Sequence, residues 1–300
     1  MRWRKRQDGA DGDITATEWM HKGADLLDAD LEQAEMCYRQ ALAMEPSLRE
    51  AWFDLGLVHK WRREWAACLS CNRRAAELGS GAARPDGEPA YWNAGIAATA
   101  LEDWPAARWA WTGYGITLTD GNGPVEEDFG QGVVRLPVGE TVWGRRIDPA
   151  RMVLTSVPLP DSGFRYGDIV LHDGEPQGSR VAGGREYPVF DTILRWRASP
   201  VSTVEVVVEA AGDVVEALID RLGSSGVHAE NWTESVTFSC KACSLGRVDY
   251  DSSEHAHHGT TAGDGTASIG CSGNPVLVEE VVRAWATTQD ATVISVEDIA

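Results

Sequence analysis

The chain has 300 residues, with 27 Lys+Arg against 46 Asp+Glu, a formal net charge of −19. Hydrophobic residues make up 43% of it, enough for buried cores, which excludes a largely disordered chain. No apolar run reaches the roughly 18 residues of a membrane-spanning helix, so no membrane partner is expected.

The opening Met1-Arg2-Trp3-Arg4-Lys5-Arg6 is basic, but an acidic stretch follows it rather than an apolar one, which is not the order of a secretory signal. A cytoplasmic address follows as the expectation. Residues 1–124 carry a net charge of −5, residues 125–201 carry −2 and residues 202–300 carry −12. A field of that sign repels phosphate backbones, so no nucleic-acid partner is expected, while a basic protein partner is compatible with it. At about 100–200 residues per domain, length alone suggests two or three domains.

The N-terminal third comes first in chain order, after a short disordered start over residues 1–14. From residue 15 the sequence repeats at a spacing of 34. Ala34, Tyr38 and Ala41 are followed 34 positions later by Cys68, Asn72 and Ala75. Pro46 closes one unit, and Trp52, Leu55 and Gly56 open the next as W-x-x-L-G. After an insertion rich in Gly, Ala and Pro, Tyr91, Gly95 and Trp104 match Trp52, Gly56 and Trp65 at an offset of 39. Large residues (Trp19, Trp52, Tyr91) alternate with small ones (Gly56, Gly95, Ala34, Ala41, Ala75), as closely packed helix pairs require. Unit one departs from the pattern: Lys22 stands near the usual Leu, and Gly23 is one residue out of register.

These residues resemble the tetratricopeptide repeat (TPR), over roughly residues 15–120. The resemblance implies three helical hairpins and a protein-binding surface rather than catalysis. Eight of the thirteen tryptophans fall in this stretch, most of them expected to pack in the core. Arg62, Arg63, Arg73 and Arg74 are the residues chosen as a partner-binding set, because four guanidiniums at that spacing could recognise an acidic peptide. Cys68 and Cys71 form a C-x-x-C at repeat packing positions and read as two small buried thiols.

Gly121 to Glu127 reads as a linker. Beyond it, residues 121–198 change to short strand-like runs at Val133–Val138, Thr141–Ile147, Met152–Leu159, Asp168–His172 and Tyr187–Trp196, a small barrel or a packed sheet. Arg145, Arg146, Asp148, Asp161, Arg165, Asp168, His172 and Asp173 cluster in its turns. They allow an anion site or acid–base chemistry, but turn formation accounts for the same residues. No nucleophile-elbow, phosphate-loop or dinucleotide fingerprint occurs, so no catalytic residue is assigned.

Residues 199–300 read as strand (Thr203–Glu209), helix from Gly212, strand (Val227–Ser239), strand (Thr266–Cys271), helix (Pro275–Thr287) and strand (Ala291–Val296). That β-α-β-β-α-β order is similar to the ferredoxin-like fold. The fold class expected for the whole is therefore multidomain α + β. Between the two middle strands lie Cys240-x-x-Cys243, His255, His257 and His258, with Cys271 beyond them. Thiolates two residues apart can reach one tetrahedral ion, so Cys240, Cys243, His255, His257 and Cys271 are the candidate ligands of a structural zinc. Cys240, Cys243, one of the histidines and Cys271 would make a closed Cys₃His site, and using two histidines instead would leave Cys271 as a strand residue.

The reading that follows is a cytoplasmic TPR adaptor with a zinc-stapled C-terminal domain. The alternatives are an acidic inhibitor of a basic toxin, steered by its C-terminal charge, and a metal-dependent enzyme.

Overall fold

The computed structural model describes residues 14–79, 88–235, 237–238 and 265–299. The chain forms two compact units that meet between Pro124 and Val125. In the first unit, helices α1 (Ala16–Leu26), α2 (Leu31–Met44), α3 (Arg49–Trp61), α4 (Trp65–Gly79), α5 (Pro89–Ala100) and α6 (Trp104–Tyr114) pack as three successive hairpins. Local chemistry sets their starts. Thr15 and Glu18 form a reciprocal capping box on α1, Asp30 accepts from the first N–H groups of α2, and Asp103 caps α6 just ahead of Pro105.

Each hairpin closes on a glycine that leaves no room for a Cβ. A Cβ on Gly23 of α1 would come within 2.8 Å of the Tyr38 ring of α2. On Gly56 of α3 it would meet the Asn72 amide of α4 at 2.3 Å, and on Gly95 of α5 the Trp111 ring of α6 at 2.5 Å. The glycine lets the two helix axes approach until the large partner fills the gap. The one-residue slip of Gly23 noted in the sequence is thus accommodated: it still meets the large residue of its own second helix.

The turns repeat as well. Among the described residues, Arg63 and Glu102, 39 residues apart, are the two non-glycine residues with positive φ, at 59° and 58°. Each donates its N–H back to the end of the preceding helix, to Lys60 and Thr99 respectively. Successive hairpins are joined through Trp52, whose indole N–H donates to the Pro46 carbonyl at 3.0 Å, and through Lys60, whose ammonium donates to Asn93 Oδ1 at 2.9 Å.

In the second unit, strands β1 (Gln131–Arg135), β2 (Glu140–Arg146), β3 (Arg151–Leu154), β4 (Ile169–His172), β5 (Ser179–Ala182) and β6 (Arg185–Arg197) follow one another. Their order is β1-β2-β3-β4-β6-β5, and β1 also pairs with β6, in parallel, which closes β1, β2, β3, β4 and β6 into a barrel. Its interior is filled by Val134, Leu136, Val142, Met152, Leu154, Val170 and Phe190. The sequence expectation missed β5, a short edge strand.

The chain continues through β7 (Thr203–Glu209), α7 (Gly212–Ser224), β8 (His228–Asn231), the single turn α8 (Trp232–Ser235), β9 (Thr237–Phe238), β10 (Thr266–Ser272), α9 (Pro275–Ala286) and β11 (Thr292–Asp298). Four of these strands form an antiparallel sheet in the order β11-β7-β10-β8. Val204, Val206 and Val208 of β7 share a core with Val215, Leu218 and Leu222 of α7 and Val278, Val282 and Trp285 of α9.

The expected long strand from Val227 to Ser239 is broken. Trp232 turns inward, its indole seated where a Cβ on Gly270 would come within 2.1 Å, and its N–H donates to the Val157 carbonyl at 2.7 Å. Past that anchor, the chain leaves the four-stranded sheet and β9 pairs with β2 of the barrel, Phe238 opposite Glu140 and Thr237 opposite Thr141.

Candidate functional site

The four arginines of the first unit are not equivalent. Arg62 ends α3 and donates to Glu35 of α2 at 2.5 Å, so one of its valences is spent on joining two hairpins. Arg63 occupies the left-handed turn residue described above. Arg73 and Arg74 lie on exposed positions of α4. The Arg73 guanidinium lies 4.8 Å from the Trp109 ring centre, and Arg74 stands 3.5 Å from Glu77 with both side chains about half exposed. With Leu69 and Ser70, these residues border an open depression of about 380 Å³ along α4.

Most of the tryptophans of this unit are structural. Trp92 packs edge-on against Trp111 and Tyr114, and Tyr91 tilts onto Trp109, with ring centres 4.7–5.1 Å apart. Among the described residues, Trp61 is the exception, 46% exposed at the end of α3. Cys68 and Cys71 are both buried in α4, and burial pushes the Cys71 thiol up to about 11, so it stays protonated at neutral pH. Sequence inspection gave no hint of Asp54, whose carboxyl is pushed up to about 6 by burial and by the neighbouring Glu50.

In the second unit, the turn-borne polar residues of the barrel resolve into loop-holding contacts. Asp148 accepts from the N–H groups of Ala150 and Arg151 and from Arg151 Nε at 2.5–2.7 Å, with both side chains 1% exposed. Arg151 also donates to the Val125 carbonyl and lies 4.5 Å from the Trp196 ring centre. Asp168 accepts from the N–H groups of Arg165 and Ser199. His172 is fully buried against Phe190, its Nδ1 3.2 Å from the Asp173 carbonyl and its Nε2 without a partner among the described residues. Burial, and secondarily Arg146, lowers its pKa to about 4, so it is neutral at pH 7.

Of the zinc candidates, Cys240, Cys243, His255 and His257 lie outside the described residues. Cys271 is described: it sits on β10 with no exposed surface, inside the core shared with α7 and α9. Burial pushes its thiol up to about 12. Among the described residues, no group of three or more His, Cys, Asp or Glu is placed to hold a metal ion. Among them, too, no helix is long and apolar enough to cross a membrane.

No protein-family model matches the chain, and no curated protein matches it. Among solved structures, a chain of a CopN-Scc3 complex is similar at 19% identity, over 33% of this chain and 56% of that chain, with a TM-score of 0.29.

Proposed function

We propose that the helical unit is a TPR-like binding module and that the protein is an adaptor that holds an acidic segment of another protein. The reading rests on one observation: the same contact, a Cβ-less position against one side chain of the second helix, recurs in all three hairpins. A stack built that way has short contacts only between neighbours and presents side chains of successive helices along its outer faces. The depression along α4 offers Arg73 and Arg74 beside Leu69, a pair of cations with an apolar floor. Guanidiniums bind carboxylates with two parallel hydrogen bonds, and Arg73, already set against Trp109, loses little freedom on binding. The test is calorimetric titration of the full chain with a Glu/Asp-rich peptide, an apolar control peptide and the Arg73→Ala/Arg74→Ala variant. Selective, saturable binding that the variant loses supports the reading; equal binding by the variant overturns it.

We read the C-terminal part of the second unit as ferredoxin-like, on the strength of its antiparallel order β11-β7-β10-β8 with α7 and α9 sharing one core. A structural zinc on Cys240, Cys243, His255 and His257 remains part of the proposal, resting on the sequence spacing. The place of Cys271 inside the apolar core shared with α7 and α9 supports the version that leaves this thiol out of the ligand set. Metal content by mass spectrometry checks it: one zinc per chain, lost in Cys240→Ser/Cys243→Ser and retained in Cys271→Ala, is the expected result.

A further inference from the structure

Helix α3 carries one face that its own hairpin does not bury. Glu50, Asp54, Leu57 and Trp61 recur at i, i+4, i+7 and i+11, which sets them in a line along the helix. Glu50 and Trp61 are exposed, and Asp54 and Leu57 are half-buried. The line is acidic at its start and apolar at its end. Glu50 stands 3.4 Å from Arg49, which also donates to Glu88. Two acids four residues apart on a helix repel one another, and burial together with Glu50 holds the Asp54 carboxyl up at about 6. Residues 80–87 lie outside the described residues and carry one base and one acid, Arg84 and Asp86, so they bring no net charge to this end.

The opening of the chain has the complementary chemistry. Residues 1–6 hold four bases, Arg2, Arg4, Lys5 and Arg6, with Trp3 among them and no acid. Arg62, at the end of α3, pairs with Glu35 near the start of α2, so α3 runs antiparallel to α2 and in the same direction as α1. The starts of α1 and α3 therefore share one end of the unit, no more than two helix spacings, about 20 Å, apart. The seven residues between Arg6 and Ile14 can span about 25 Å, which is enough to bring the basic residues to Glu50.

We propose that residues 2–6 of the chain dock along this line of α3, with Arg6, Lys5 and Arg4 against Glu50 and Asp54, and Trp3 on Leu57 and Trp61. The order of chemistry agrees: a chain leaving the start of α1 meets Glu50 first, and its bases come before Trp3. The lengths agree too, since Glu50 to Trp61 is about 16 Å along the helix and five extended residues cover about 17 Å. Guanidiniums flanking an indole can also lie over the exposed Trp61 ring. The docked segment is a built-in competitor, because tethering gives it an effective concentration on the order of mM that a basic partner of this face must overcome. The inference uses α3 rather than the depression along α4, so it stands or falls apart from the adaptor reading.

The test is calorimetric titration with a synthetic peptide of residues 1–7. It is added to the wild-type chain and to the full-length variant Arg2→Ser/Trp3→Ser/Arg4→Ser/Lys5→Ser/Arg6→Ser, whose own segment cannot compete. The expected result is one-site binding to the variant and at least tenfold weaker binding to the wild type. Adding Glu50→Gln/Asp54→Asn to the variant should weaken binding at least tenfold. Trp61→Ala in the same background, expected to weaken it severalfold, serves if the Glu50→Gln/Asp54→Asn chain does not fold as judged by circular dichroism. Absence of binding to the serine variant, equal binding to it and to the wild type, or binding that neither α3 change weakens overturns the proposal.

Discussion

Replacing Gly95 by Ala tests the hairpin geometry where the obstacle is a buried indole. In an unobstructed helix, Gly→Ala stabilises by about 1 kcal/mol, because alanine loses less backbone entropy. Here the added methyl would lie 2.5 Å from Trp111, an indole with no exposed surface that is also packed by Trp92. The ring cannot swing to solvent, so α5 and α6 must separate or Trp111 must leave its rotamer, at a cost of about 1–3 kcal/mol for overpacking. The clash at least offsets the propensity gain, and the expected net loss is up to about 2 kcal/mol. Urea denaturation of the full chain, followed by tryptophan fluorescence and fitted for the helical transition, reads it. Gly56→Ala makes the internal comparison, since its obstacle is the Asn72 amide rather than a fused ring. A Gly95→Ala protein as stable as wild type, or more so, would refute close approach as the reason for glycine there.

Three further outcomes are expected. Arg63→Gly and Glu102→Gly, each relieving a left-handed non-glycine turn, should raise stability by up to about 1 kcal/mol in the same urea assay. Asp148→Asn should destabilise the second unit by about 3–5 kcal/mol, because Arg151 would keep its buried charge without its counterion; proteolysis of that unit and its thermal midpoint report the loss. His172 has a folded pKa of about 4, below its unfolded value near 6.5, so the unfolded chain binds the extra proton and stability falls as pH drops from about 6.5 to 4. The loss is on the order of 3 kcal/mol. Glu140, raised to about 7, works in the opposite sense, with stability falling as pH rises from about 4.5 to 7. The two slopes offset one another, so the His172 effect is read as the pH dependence of the difference between wild type and His172→Gln.

Much of this architecture was legible because the signals were local. The W-x-x-L-G at Trp52 and its echo at Tyr91 mark helices whose contacts lie within one hairpin, and the alternation of Thr203–Glu209 coincides with β7 residue for residue. The misreadings involve partners far away in the chain. Trp232, Val236 and Phe238 alternate like one continuous strand, but Trp232 is committed to Gly270 and Val157, which no local pattern encodes. Ser179–Ala182 is an edge strand with little to bury, so it lacks the apolar rhythm that reveals its neighbours.

The site residues divide in the same way. Asp148 and Asp168 belonged to a polar cluster that turn formation already accounted for, and each holds a loop through backbone N–H groups. No local pattern marks Glu140, which follows the turn at Gly139 and is buried in the fold. Of the four arginines, sequence could not tell that Arg62 is tied to Glu35 while Arg73 and Arg74 border an open depression.

Reversing charge at that depression tests the adaptor reading most directly. In the Arg73→Glu/Arg74→Glu variant, an acidic peptide that binds the wild type should bind at least tenfold more weakly, while a lysine-rich peptide of the same length should gain affinity. The helical circular dichroism should be unchanged. Retention of the acidic peptide at wild-type affinity by a folded variant would contradict the account.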